Sequence, residues 1–239
     1  NLVYLCRAHG LDEVAAYWEG VVAINEYQKE RFVLNMMNAM FNSLAGKRIA
    51  IFGFAFKADT GDTRESPAIY VAERLLAEHA EVVITDPQAL PNARIWAREL
   101  AARCGNGAVP DGTGGSGPGG NAGAGSIITV GKPGASGIRT APGAGLGPSS
   151  SPGLFDAGCP PRIDFAEDPV AAAAGCHAIA LMTEWPLYRT LDYERIFASM
   201  VQPAFIFDGR NLLDHERLHA IGFNVYPLGR PPLTHWPQK

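Results

Sequence analysis

The segment from Arg48 to Ser66, R-I-A-I-F-G-F-A-F-K-A-D-T-G-D-T-R-E-S, restricts the possible folds more than any other part of the chain. It opens on a short apolar run, Ile49 to Phe52, which is strand-like in length and content. Gly53 follows, where the backbone can turn without a side chain crowding its neighbours. A polar loop carrying Lys57 and Arg64 leads to Ser66-Pro67, an N-cap residue followed by proline at the first helical position. A strand, a long charged loop and a capped helix form the first unit of a Rossmann-like half.

The rest of the chain repeats this alternation. Strands are expected at Val82 to Thr85, Ile163 to Phe165, Ala178 to Met182, Phe205 to Phe207 and Phe223 to Tyr226. Helices are expected at Pro67 to Ala80, Asn92 to Arg103, Pro169 to Ala174, Tyr193 to Met200 and His215 to Ala220. Such alternation argues for an α/β fold with a parallel sheet covered on both faces. Before it come a short helix ending at Gly10 and a long one from Asp12 to about Phe41 or Leu44. Val14, Tyr17, Val21, Ile24, Phe32, Leu34, Met37 and Met40 give the long helix a broad apolar face. A helix of this length either bridges domains or builds a subunit interface, or packs as a core helix. The expected organisation is a central helical segment over residues 1–44 and a Rossmann-like domain over 45–239. Residues 105–161, rich in Gly, Pro, Ser and Ala, read as a disordered insertion with too little apolar surface to offset ordering entropy.

In open α/β sheets ligands sit outside the carboxyl ends of the strands. The residues that follow each strand are therefore the candidate site: Phe56 and Lys57, then Asp86, then Thr183, Glu184 and Trp185, then Asp208, Gly209 and Arg210. Two cations and an aromatic ring suit a nucleotide diphosphate, because guanidinium forks phosphate oxygens and ammonium adds a point charge. The competing reading pairs Lys57 with Asp59 and Arg210 with Asp208 on a solvated surface. Arg64 has similar company in Asp62 and Glu65. The dinucleotide fingerprint G-x-G-x-x-G does not follow the first strand, so this half should not cradle NAD in the usual way. Asp86, before Pro87, reads as a turn residue. His215 to His219 matches H-E-x-x-H, but no third ligand is suggested, and a solvated helix face is the competing reading to zinc.

The run G-F-A-F-K-A-D-T-G-D-T-R-E-S-P, the N-terminal helical segment and A-F-I-F-D-G-R-N-L-L-D resemble the UDP-glucose 6-dehydrogenase family, within the UDP-glucose/GDP-mannose dehydrogenases. The resemblance covers the chain except roughly 105–161 and falls on the family's C-terminal, UDP-binding portion. It implies that Phe56, Lys57 and Arg210 contact the UDP-sugar. It implies that Arg64 reaches the NAD bound on a partner domain. The implied reaction oxidises UDP-glucose to UDP-glucuronate with two NAD+. The family's cysteine nucleophile lies in a G-G-S-C-like motif, which this sequence lacks. Cys6 reads as a packing residue. The chain therefore reads as a fragment, inactive alone, that needs an N-terminal NAD-binding domain and forms a homo-oligomer through the long helix. A dehydrogenase of GDP-mannose or of a UDP-N-acetyl sugar stays open, as does a non-catalytic nucleotide-binding or oligomerisation module.

A net charge of −4 gives no electrostatic case for nucleic acid or an anionic membrane. No apolar run reaches the roughly 20 residues of a membrane helix. The four cysteines show no C-x-x-C pair and fit free thiols in a reducing, cytoplasmic setting.

Overall fold

A computed structural model describes residues 2–105 and 161–236. The expected insertion at 105–161 lies outside the described residues except for its ends, Gly105 and Pro161. The elements run α1 (Leu2–Ala8), α2 (Asp12–Ala39), β1 (Arg48–Phe52), α3 (Pro67–Ala77), β2 (Glu81–Thr85), α4 (Leu90–Gly105) and β3 (Ile163–Phe165). They continue α5 (Pro169–Ala173), β4 (Ala178–Leu181), a 3-10 turn (Pro186–Thr190), α6 (Tyr193–Ser199), β5 (Phe205–Asp208), α7 (His215–Ile221) and β6 (Asn224–Pro227). The 3-10 turn is an addition to the expected elements.

The six described strands form one sheet in the order β3-β2-β1-β4-β5-β6. Every neighbouring pair is parallel. The order reverses between β1 and β4, which places a crevice at the carboxyl ends of those strands. Phe52, Leu181 and Asp208 are aligned across β1, β4 and β5. At about 4.8 Å per strand, the ends of β1 and β5 stand roughly 10 Å apart.

Strand residues alternate between two cores, as a period of two requires. Ile49, Ile51, Val82, Ile84, Phe205 and Phe207 face α3, α4 and the last turns of α2. Ala50, Phe52, Val83, Ile179, Leu181 and Ile206 face α5, α6, α7 and Tyr188. Each fully buried large apolar side chain contributes about 1.5–3 kcal/mol. The caps are the ones the sequence supplies. Ser66 Oγ accepts the Ala68 N–H, Asp168 accepts from Val170, Asp192 from Arg195 and Asp214 from Arg217.

The long helix divides along its length. Phe32, Val33, Met36 and Met40 are buried in the sheet's core, with Phe32 edge-on to Phe207. Glu30 ties this half to α3: Arg74 forks its carboxylate through two 3.0 Å hydrogen bonds, and Tyr70 OH adds one of 2.6 Å. Its earlier turns leave Val14, Tyr17, Ile24 and Tyr27 exposed. Of the apolar face expected from sequence, Phe32 and Met40 are buried, while Leu34 points outward.

Candidate functional site at the carboxyl ends of β1, β4 and β5

Gly53 has φ +90°, and a Cβ there would sit 2.4 Å from Thr183 Cβ, so β1 and β4 can approach this closely only at a glycine. The chain then bends over Asp86, which is buried at the end of β2. Asp86 Oδ2 accepts the N–H groups of Phe54 at 2.7 Å and Ala55 at 3.0 Å, and the Trp185 indole N–H at 3.2 Å. Its Oδ1 accepts the N–H groups of Gln88 at 2.8 Å and Ala89 at 2.7 Å. Asp86 is thus a turn residue, as expected, and also the clamp that shapes the β1 loop. Thr183 Oγ1 closes the other side by donating to Ala55 O at 2.7 Å.

Past this clamp the loop delivers the candidate residues. Phe56 is 48% exposed, a large ring with a face open to a ligand. Lys57 is exposed and has no ion pair or hydrogen bond among the described residues, so the expected alternative pairing with Asp59 does not occur. From β5, Arg210 arrives beyond Asp208 and Gly209. A Cβ on Gly209 would meet Leu181 O at 2.9 Å, so glycine lets the chain pass close over β4. Arg210 Nε donates to Met182 O at 2.7 Å and lies 3.3 Å from Glu184 Oε2. Its terminal nitrogens carry no hydrogen bond among the described residues.

The alternative ion pair of Arg210 with Asp208 is also absent. Asp208 is fully buried, and its carboxylate accepts the backbone N–H groups of Arg210 and Leu213 and meets His215 Nε2 at 2.9 Å. This clamp fixes the turn that presents Arg210. It also accounts for the first histidine of H-E-x-x-H, which is buried rather than on a solvated face. His219 stacks on His235 with ring centres 4.2 Å apart. No group of three His, Cys, Asp or Glu side chains could hold a metal among the described residues.

Arg64 lies away from this crevice's cations in its bonding. Its guanidinium grips Asp62 through Nε at 2.9 Å and Nη2 at 2.6 Å, and its side chain is 87% exposed. The Arg64 hydrogen bonds hold the Asp62 carboxyl down at about 2, and the pairing raises the guanidinium's own pKa. The chain's own β1–α3 crossover does not fit a dinucleotide. The amides of Phe54 and Ala55, where a phosphate cradle would need free donors, are filled by the Asp86 carboxylate, and Gly53 is pressed against Thr183.

Comparison with known proteins gives this arrangement its relatives. The chain is 40% identical over 231 residues to UDP-glucose 6-dehydrogenase 4 of Oryza sativa subsp. japonica, covering 97% of this chain and 40% of that protein. It is 36% identical over 236 residues to UDP-glucose 6-dehydrogenase 1 of Arabidopsis thaliana, covering 99% of this chain and again 40% of the relative. The chain thus spans about 40% of the length of these relatives. Among solved structures, a UDP-glucose dehydrogenase from the hyperthermophilic archaeon Pyrobaculum islandicum aligns with TM-score 0.53 at 20% identity, over 93% of this chain and 35% of that one. An NDP-N-acetyl-D-galactosaminuronic acid dehydrogenase from Methanosarcina mazei Go1 aligns with TM-score 0.51 at 14% identity, over 89% of this chain and 30% of that one. These two likenesses concern the fold. The family profile for the UDP-binding domain of UDP-glucose/GDP-mannose dehydrogenases matches residues 50–106 and 150–215. The chain belongs to the UDP-glucose/GDP-mannose dehydrogenase family, through its UDP-binding domain.

Proposed function

We propose that this chain supplies the UDP-sugar half of a UDP-glucose 6-dehydrogenase, with Phe56, Lys57 and Arg210 as the substrate-binding residues. The observation that carries this reading is the state of the two cations. Arg210 is anchored through Nε while its terminal nitrogens stay unbonded, and Lys57 stands unpaired two strands away. A guanidinium whose terminal nitrogens are left open, with an unpaired ammonium across the crevice, suits a diphosphate. Phe56 offers the ring against which a base or sugar packs.

In this reading the oxidation of UDP-glucose to UDP-glucuronate takes place against a separate NAD-binding domain, which brings the dinucleotide cradle and the cysteine nucleophile. Arg64 faces that domain, exchanging Asp62 for the cofactor when the two halves meet. Residues 1–44 form the helical connector, and residues 45–239 the UDP-sugar domain. The exposed Val14, Tyr17, Ile24 and Tyr27 of α2 are the surface through which the connector meets a second copy of the chain. No helix among the described residues is long and apolar enough to cross a membrane. The nucleotide-sugar substrate and the free cysteines suit a cytoplasmic enzyme.

Calorimetric titration of UDP-glucose, UDP, GDP-mannose and NAD into the chain tests the assignment. UDP-glucose and UDP are expected to bind, GDP-mannose to bind far more weakly, and NAD not to bind this chain alone. A preference for GDP-mannose would reassign the substrate within the family. NADH production from UDP-glucose by the chain itself would refute the division of labour.

A further inference from the structure

Glu184 follows Thr183 at the carboxyl end of β4, the strand between β1 and β5. It therefore stands between the two strands that deliver Lys57 and Arg210. Its Oε2 is 3.3 Å from Arg210 Nε, yet that N–H is directed at Met182 O, 2.7 Å away. Oε2 is sealed from solvent and receives no hydrogen bond. The side chain as a whole is nevertheless 43% exposed, so its accessible acceptor is the other oxygen, Oε1.

A carboxylate is a poor neighbour for a diphosphate, because like charges repel and the repulsion grows as water is excluded. Its presence between two phosphate-seeking cations makes physical sense if the ligand also brings donors. An ionised carboxylate accepts hydrogen bonds and donates none. A nucleotide sugar carries several hydroxyl groups on its ribose and on its hexose, whereas inorganic pyrophosphate has no alcohol hydroxyl and carries more negative charge. An acid at this position therefore favours the sugar-bearing ligand over a bare phosphate.

We propose that Glu184 is a specificity residue of the crevice, with Oε1 accepting a hydrogen bond from a hydroxyl of the bound nucleotide sugar while Oε2 rests against Arg210. The inference rests on the UDP-sugar reading of the site. It goes beyond that reading by assigning the sugar hydroxyls a receptor.

The test titrates UDP-glucose, UDP and inorganic pyrophosphate into the chain and into its Glu184→Ala and Glu184→Gln variants. In Glu184→Ala the affinity for UDP-glucose is expected to fall by roughly tenfold or more, the loss of a charged hydrogen bond. Pyrophosphate binding is expected to hold or tighten, because an anion beside Arg210 is gone. Glu184→Gln should fall between, since its amide oxygen still accepts but carries no charge; being isosteric, it also separates binding from folding. An equal loss for UDP and UDP-glucose identifies a ribose hydroxyl, and a loss confined to UDP-glucose identifies the hexose. Equal losses for all three ligands would show that Glu184 only props Arg210, and an unchanged UDP-glucose affinity would likewise overturn the assignment. Failure of the unsubstituted chain to bind either uridine ligand would refute the nucleotide-sugar reading itself, and Glu184's role with it.

Discussion

Replacing Asp86 with Asn exchanges one heavy atom and keeps the shape, so its cost isolates the hydrogen bonds that the second carboxylate oxygen accepts. Asp86 is 2% exposed and its two oxygens accept five N–H groups, three on Oδ2 and two on Oδ1. Asparagine has one acceptor oxygen. In its better orientation that oxygen keeps Phe54, Ala55 and Trp185, and the new amide group points its own hydrogens at the N–H groups of Gln88 and Ala89. The buried Ala89 donor is then orphaned, at about 1–3 kcal/mol, while the exposed Gln88 can turn its N–H to water, which predicts a loss of about 1–3 kcal/mol. Against a typical total of about 5–15 kcal/mol this is a large fraction. Urea denaturation followed by tryptophan fluorescence measures it, with the midpoint moving and the slope unchanged. UDP-glucose affinity should change little, because the remaining oxygen still clamps the Phe54 and Ala55 amides from which Phe56 and Lys57 hang. A loss below about 1 kcal/mol would refute the reasoning that the buried Ala89 N–H depends on the carboxylate.

Gly53→Ala forces a Cβ to within 2.4 Å of Thr183 Cβ at φ +90°, and should destabilise by roughly 2–4 kcal/mol in the same assay; a near-neutral result would mean that β1 and β4 are not in close contact there. The Glu30 carboxyl is held below its usual 4.5, first by the hydrogen bond from Arg74 and then by Tyr70, against the opposing effect of burial. A depressed folded value means stability that is complete above the unfolded pKa and lost as pH falls through the folded one. Urea midpoints of the chain should therefore decline below about pH 4.5 partly through Glu30, and Glu30→Gln should reduce that decline while costing up to about 1 kcal/mol at pH 7, a figure kept small by solvent screening. An unchanged acid profile in Glu30→Gln would show that the α2–α3 fork contributes nothing.

The order of strands and helices was readable because each element is locally marked. Ser66-Pro67 announces α3, and the runs at 49–52, 82–85, 178–181 and 205–207 are each long enough for one buried strand. The lateral order β3-β2-β1-β4-β5-β6 was not readable, since a buried parallel strand is apolar on both faces and carries no mark of its neighbour. The face of α2 was misjudged for a related reason. Its apolar residues suggest one continuous stripe, but only the turns from Phe32 onward lie over the sheet, and there Val33 and Met36 face inward while Leu34 does not. Lys57 and Arg210 were found from their positions after strands. Their partners were not: Asp208 is two residues from Arg210 and seemed its natural counterion, yet burial commits it to Leu213 and His215. Arg210 instead meets Glu184, and Asp86 meets Trp185 across 99 positions of sequence, distances over which local pattern carries no information.

Arg210 is proposed as a principal phosphate ligand of a UDP-sugar crevice. Calorimetric titration of UDP-glucose into Arg210→Lys tests this role most directly. Lysine keeps the charge but loses the fork, and it cannot both hold Met182 O and offer a paired edge to the diphosphate. Losing one charged hydrogen bond should cost about 1.5–3 kcal/mol, which is roughly a ten- to hundredfold loss of affinity. That loss is expected with the melting temperature little changed, because Arg210 lies at the rim of the domain. UDP-glucose binding in Arg210→Lys equal to that of the unsubstituted chain would contradict the role.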